Sequence, residues 1–190
     1  ETGTPQCDIL LHADTQAAKR VREYYRIPDG AHIAMYAPTF RKNHDTSVYD
    51  LNTDYLLKAL RERFGGQWYL LMRLHPHLIH LTDCFHYSGQ VLQATDYDDA
   101  QELLCATEFL ISDYSAIMFD YAVTQRPCML YTPDLQSYIA QDRDLYFNIC
   151  ELPFASFENQ TEMLEAIREF DEKAYQQRLS RFLKKIGSYD

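Results

Sequence analysis

Glycine is the first shortage: the chain has six glycines and seven prolines in 190 residues, scattered rather than gathered. No Gly/Ser linker, low-complexity tract or internal repeat divides it, so a single domain is expected. The glycine-built fingerprints are absent too. There is no Gly-x-Gly-x-x-Gly, no P-loop, no kinase signature and no Gly-x-Ser-x-Gly elbow. No apolar run approaches the roughly 20 residues of a bilayer span, and no signal peptide opens the chain, so the piece is expected to be soluble. Positive charge is also short. Eighteen bases face 28 acids, a net charge of −10, which argues against broad nucleic-acid or anionic-lipid binding. A phosphate-bearing ligand then needs a local cluster of basic groups. Cysteine is odd in number and widely spaced (Cys7, Cys84, Cys105, Cys128, Cys150), with no Cys-x-x-Cys, which suits a reducing cytosol.

What is present alternates. Apolar runs at 32–40, 67–74, 108–111 and 127–131 read as strands, most of them buried, and 90–94 as a short strand. Between and after them lie helical patterns: from Asp14 or Thr15 to about Arg26, from Asn52 or Thr53 to Phe64, and 98–105. Others begin at Ile117 and span 158–170 and 172–186. Asn159-Gln160-Thr161 is formally a glycosylation sequon but more simply a helix start. This alternation implies an α/β fold, a Rossmann-like parallel sheet with helices on both faces.

The stretch from Phe109 to Tyr121 organises the rest: an apolar strand that stops at Ser112-Asp113-Tyr114-Ser115 and turns straight into a helix. Ser112 or Ser115 is expected to cap that helix, whose first N–H groups suit an anion. Taken alone, the segment reads better as an ordinary capped helix with no ligand.

Two basic clusters fall where other strands end. Arg41, after Pro38-Thr39-Phe40, has a fork that fits two phosphate oxygens, or is simply a solvated loop residue. Arg73, His75 and His77 are expected to point one way if strand alternation persists. An arginine and a histidine there suit phosphate neutralisation and proton transfer near neutral pH. His75, His77, His80 and His86 with Asp83 and Cys84 match no strong metal signature, and no metal ligand is assigned. Asp96, Asp98 and Asp99 suit Mg²⁺, ribose hydroxyls or a helix start. Asp120, in an otherwise apolar helix, suits vicinal hydroxyls or a neighbouring backbone or tyrosine.

Together, Tyr36-Ala37-Pro38-Thr39-Phe40-Arg41, Arg73-Leu74-His75-Pro76 and Ile111 to Tyr121 resemble the CDP-glycerol glycerophosphotransferase family, the teichoic acid primases and polymerases. Gly3 to Asp8, and Pro127 to Tyr131 with Asp134 and Tyr138, agree with it. The resemblance implies the carboxy-terminal, donor-nucleotide half of a GT-B type transferase. It implies transfer of glycerol phosphate or ribitol phosphate from a CDP-polyol to an acceptor hydroxyl, with CMP released. It implies His75 as catalytic and Pro38, Thr39, Arg41, Arg73, Leu74, Ser112, Asp113, Ser115, Ala116 and Asp120 as the donor site.

The implied partners are CDP-glycerol or CDP-ribitol, a polyol-phosphate or lipid-linked acceptor, and an amino-terminal domain carrying a second essential histidine. No cofactor is assigned, and a divalent metal requirement stays open. The implied setting is the cytoplasm, with the parent peripheral at the inner face of the cell membrane. Three departures from the pattern stand out: Gln6 and Cys7 replace an Arg-Asn pair, Ala116 replaces a serine, and the amino-terminal half with the other essential histidine is not in this chain; the end at Asp190 also looks cut short. The isolated chain is therefore expected to bind donor rather than turn it over. Two rivals remain: a glycosyltransferase of the same fold, separable by its glycosidic product, and a non-catalytic module.

Overall fold

The computed structural model describes residues 8–12, 14–41, 47–75, 85–141 and 148–187. The sequence expectations for Gly3 to Cys7, Lys42, Pro76, His77, His80, Asp83, Cys84 and the last three residues lie outside them.

Six strands form one parallel sheet: β1 (His32–Tyr36), β2 (Trp68–Met72), β3 (Val91–Gln93), β4 (Phe109–Ser112), β5 (Cys128–Tyr131) and β6 (Ala155–Phe157). Their order is β3-β2-β1-β4-β5-β6 and every pairing is parallel. All four residues of β4 and of β5 are buried, as are four of five in β1 and in β2. Strands covered on both faces must be apolar nearly throughout, which is why these four show in the sequence as runs rather than alternations. The edge strands β3 and β6 are three residues each and only partly buried. Residues 155–157 carry no strand pattern, and β6 was not expected.

Helices α1 (Asp8–Leu11) and α2 (Thr15–Tyr25) pack on α4 (Ala100–Ala106), and α3 (Thr53–Phe64) packs on α7 (Gln160–Arg168). Right-handed crossovers that run one way from β1 to β3 and the other way from β3 to β6 put these two groups on opposite faces. The other helices are α5 (Ile117–Ala122), α6 (Leu135–Gln141) and α8 (Glu172–Lys185). Asp14, Asn52, Asp99, Asn159 and Asp171 each cap a helix through a side-chain oxygen on a first-turn N–H. Asn159 thus is a helix start. Helix α2 ends two residues before Pro28, at Arg26 in the left-handed region (φ 55°).

β1 stops at Tyr36 instead of Phe40 because Pro38 has no N–H to extend the ladder. At the opposite end of the sheet, Gly66 (φ 67°) leads into β2 beneath the His32 ring. A Cβ at Gly66 would meet that ring at 2.7 Å, so the turn demands glycine for space as well as for its dihedral angle. His32 is held there by Glu108 at 2.6 Å and by stacking on Trp68.

Candidate functional site

The strand order reverses between β1 and β4: β2 and β3 lie to one side, β5 and β6 to the other. In an open parallel sheet the chains leaving two such strands turn opposite ways and leave a crevice at their carboxyl ends. The loops bordering that crevice are 37–41 after β1 and 113–116 after β4, which carry most of the residues singled out in the sequence.

Those two loops are tied together. Ser112 is fully buried and donates through Oγ to the Ala37 carbonyl at 2.8 Å. Asp113, 1% exposed, accepts from the Thr39 N–H and Oγ1 and from the Tyr114 N–H. Arg41, 2% exposed, places Nη2 2.9 Å from Asp113 and forks onto Asp134, with Nε at 2.6 Å and Nη2 at 3.0 Å. Its Nη1 donates to the Thr39 carbonyl and its N–H to the Tyr49 hydroxyl. The guanidinium lies 4.8 Å from the Tyr114 ring and 5.0 Å from Tyr138, rings that stack on each other at 3.8 Å. Burial disfavours its charge, but the Asp134 hydrogen bonds and the nearby Asp113 charge outweigh that and raise its pKa. Burial, then the Asp134 charge, likewise pushes the Tyr114 phenol up.

Arg41 was expected as a phosphate fork or a solvated loop residue; it is neither in this arrangement. Its donors are aimed at two carboxylates, and it clamps the exits of β1, β4 and β5 to one another. Ser112, an alternative cap, is the β4–β1 tie instead. The Ser115 hydroxyl accepts from the Ile117 N–H at 3.4 Å, a long bond. Helix α5 has six residues, so the dipole expected behind an anion here is small. Ala116 is exposed at its start, and Pro38, in the loop after β1, is buried.

Arg73 differs from Arg41. Its Nη1 donates to two neutral carbonyls, Ala94 at 2.9 Å and Tyr97 at 2.8 Å, with no ion pair among the described residues. Burial lowers its pKa, with Asp99 and Asp96 acting only at a distance in the opposite sense. Leu74 is buried, and its N–H donates to Thr95 Oγ1. His75 is exposed, with its ring 6.0 Å from Phe40 after β1. The common direction expected for Arg73 and His75 is not seen: β2 ends at Met72, and beyond it Arg73 contacts the exit of β3 while His75 lies beside that of β1.

Asp120, on α5, accepts from Gln101 Nε2 at 3.2 Å. Asp99 is the cap of α4. Among the described residues no group of three or more His, Cys, Asp and Glu is placed to hold a metal ion. Asp134 and Gln101 were not singled out as site residues. The available signal was positional: Asp134 lies just past the carboxyl end of β5, and Gln101 in the first turn of the helix that follows β3.

The family model described as CDP-Glycerol:Poly(glycerophosphate) glycerophosphotransferase matches residues 1–190. A teichoic acid glycerol-phosphate transferase of Staphylococcus aureus is 32% identical over 92% of this chain and 46% of its own length. A teichoic acid ribitol-phosphate polymerase of the same species, TarK, is 30% identical over 82% of this chain and 30% of its own. Among solved structures, the wall teichoic acid polymerase TagF superposes with a TM-score of 0.78 at 26% identity, covering 97% of this chain and 46% of that one. A TagF variant soaked with CDPG matches similarly, with a TM-score of 0.76. The chain spans less than half the length of these relatives. The parallel α/β sheet expected from the sequence is borne out, and its match is to a GT-B type transferase.

Proposed function

The chain belongs to the CDP-glycerol:poly(glycerophosphate) glycerophosphotransferase family, and from that premise we propose that it is the donor-binding half of a CDP-polyol phosphotransferase. The parent moves glycerol phosphate or ribitol phosphate to an acceptor hydroxyl in the synthesis of a teichoic-acid-like polymer. The acceptor oxygen attacks the phosphorus that bears the polyol, the bond from that phosphorus to the CMP oxygen breaks, and the acceptor proton passes to a base. His75, exposed beside the β1 exit, is the candidate for that proton. The other half of the enzyme supplies the opposite wall of the cleft. The acceptor is a polyol phosphate chain or a lipid-linked primer. A lipid-linked primer brings the parent to the inner face of the membrane, although no described helix is long and apolar enough to cross one.

One observation carries the reading: Arg73, a desolvated cation bonded among the described residues only to neutral carbonyls, at the carboxyl edge of a sheet whose order reverses one strand away. A guanidinium so placed keeps its charge for an anion, and a diphosphate supplies one. Phosphoryl transfer asks chiefly for positioning and charge stabilisation, which these groups can provide.

Calorimetric titration of the full-length protein with CDP-glycerol, CDP-ribitol and CMP tests it. Saturable binding of a CDP-polyol is expected, and absence of any cytidine-dependent heat overturns the reading. Arg73→Ala is expected to weaken CDP-polyol binding by about tenfold or more, as for a lost charge-assisted hydrogen bond. Unchanged affinity in that variant removes Arg73 from the phosphate site.

A further inference from the structure

Asp120 is the acid that the donor-site reading aligns with hydroxyl groups, and part of what holds its carboxylate lies outside its own helix. One restraint comes from α4: Gln101 donates Nε2–H to Asp120 Oδ2 at 3.2 Å. The reverse orientation of that amide would set two oxygens face to face, so the donor assignment is forced. Its consequence is unusual. Gln101 Oε1 is then buried without a hydrogen-bond partner. An unpaired buried carbonyl oxygen destabilises a fold, and a leucine of similar volume would occupy the place without that penalty. The amide therefore earns nothing for folding beyond one hydrogen bond, and that bond goes to Asp120.

The turn that presents Gln101 is anchored on several sides. Its own N–H donates to the Asp99 cap at 2.8 Å. Glu102, the next residue, is held by the Arg20 guanidinium and by the Tyr97 hydroxyl. Tyr97 in turn offers its carbonyl to Arg73. The same short segment thus holds the proposed phosphate cation and the support for the proposed hydroxyl acceptor.

From this we infer that Gln101 is a positioning residue: it orients the Asp120 carboxylate for vicinal hydroxyls of the donor, and so sets how well those hydroxyls are read. The inference rests on the donor-binding reading and adds a residue to it. Vicinal hydroxyls occur on both the ribose and the polyol of a CDP-polyol, and the chemistry of recognition is shared.

The test is Gln101→Leu in the full-length protein, with thermal unfolding, steady-state kinetics on CDP-glycerol, and competition by CMP and 2′-deoxy-CMP. The melting temperature is expected to hold or rise, because the unpaired oxygen is gone. The donor KM is expected to rise about fivefold to tenfold with kcat little changed, the scale of one hydrogen bond. If CMP weakens with the donor while 2′-deoxy-CMP does not, the hydroxyls are those of the ribose. If CMP is unaffected, they are those of the polyol. Gln101→Glu, which keeps the shape and sets a second carboxylate against Asp120, is expected to raise KM further. A lower melting temperature with donor KM unchanged makes Gln101 structural and overturns the inference. So does an unaltered KM in Gln101→Glu. Wild-type protein that binds no cytidine nucleotide overturns the donor reading itself, whereas a binding wild type matched by both variants overturns the Gln101 role alone.

Discussion

Arg41→Ala is expected to cost about 3–5 kcal/mol of folding stability, read as a lower urea midpoint at unchanged m, because it strands two buried or nearly buried carboxylates. Asp113 and Asp134 are 1% and 13% exposed at the side chain, and neither can turn to bulk water without opening the crevice wall. The loss includes the contact of the guanidinium with the Tyr114 and Tyr138 rings. Arg41→Lys is expected to fall between wild type and alanine, since an ammonium keeps the charge but cannot fork onto Asp134 while reaching Asp113. A cost below about 1 kcal/mol is the behaviour of a solvated surface pair and would remove the clamp from this account. Donor binding in Arg41→Ala should weaken along with stability, because Thr39 and the 113–116 loop are held through the same network.

His75→Ala is the second large effect, and it should be of the opposite kind. His75 is exposed, so the fold should be within about 0.5 kcal/mol of wild type, as for most surface substitutions. Transfer by the full-length protein should nevertheless fall by about 10²–10⁴, the usual contribution of a positioned acid or base. CDP-polyol affinity should change little, so the loss appears in kcat. Measuring single-turnover transfer at saturating donor separates the two. A loss under tenfold would move the proton-transfer role elsewhere in the enzyme.

The sheet was legible in the sequence because four central strands are buried on both faces and must be apolar throughout. The caps were legible because Asp14, Asn52 and Asn159 are residue types with a side-chain oxygen to offer. β6 was not, since an edge strand of three half-buried residues needs no apolar pattern. The length of α5 was also hidden: Met118, Tyr121 and Ala122 give helical spacing, but the apolar pattern does not mark the stop after Ala122. In the site, the residues at the strand ends were readable and their partners were not. Arg41 meets Asp134, 93 positions away, and Asp113 meets Thr39 across 74. Nothing local in the sequence distinguishes an arginine aimed at a ligand from one aimed at two carboxylates. Arg73 and His75 diverged from expectation for a related reason: period-two alternation holds only while the strand does, and β2 ends one residue before Arg73.

Among the described residues both margins of the sheet are short, Val91–Gln93 and Ala155–Phe157, and at the first the Val91 N–H and carbonyl are already bonded to Ser88. So brief a template gives a foreign strand few backbone hydrogen bonds with which to register and grow. The polypeptide should therefore withstand the high concentrations that calorimetry and crystal soaking require without self-associating through its flanks.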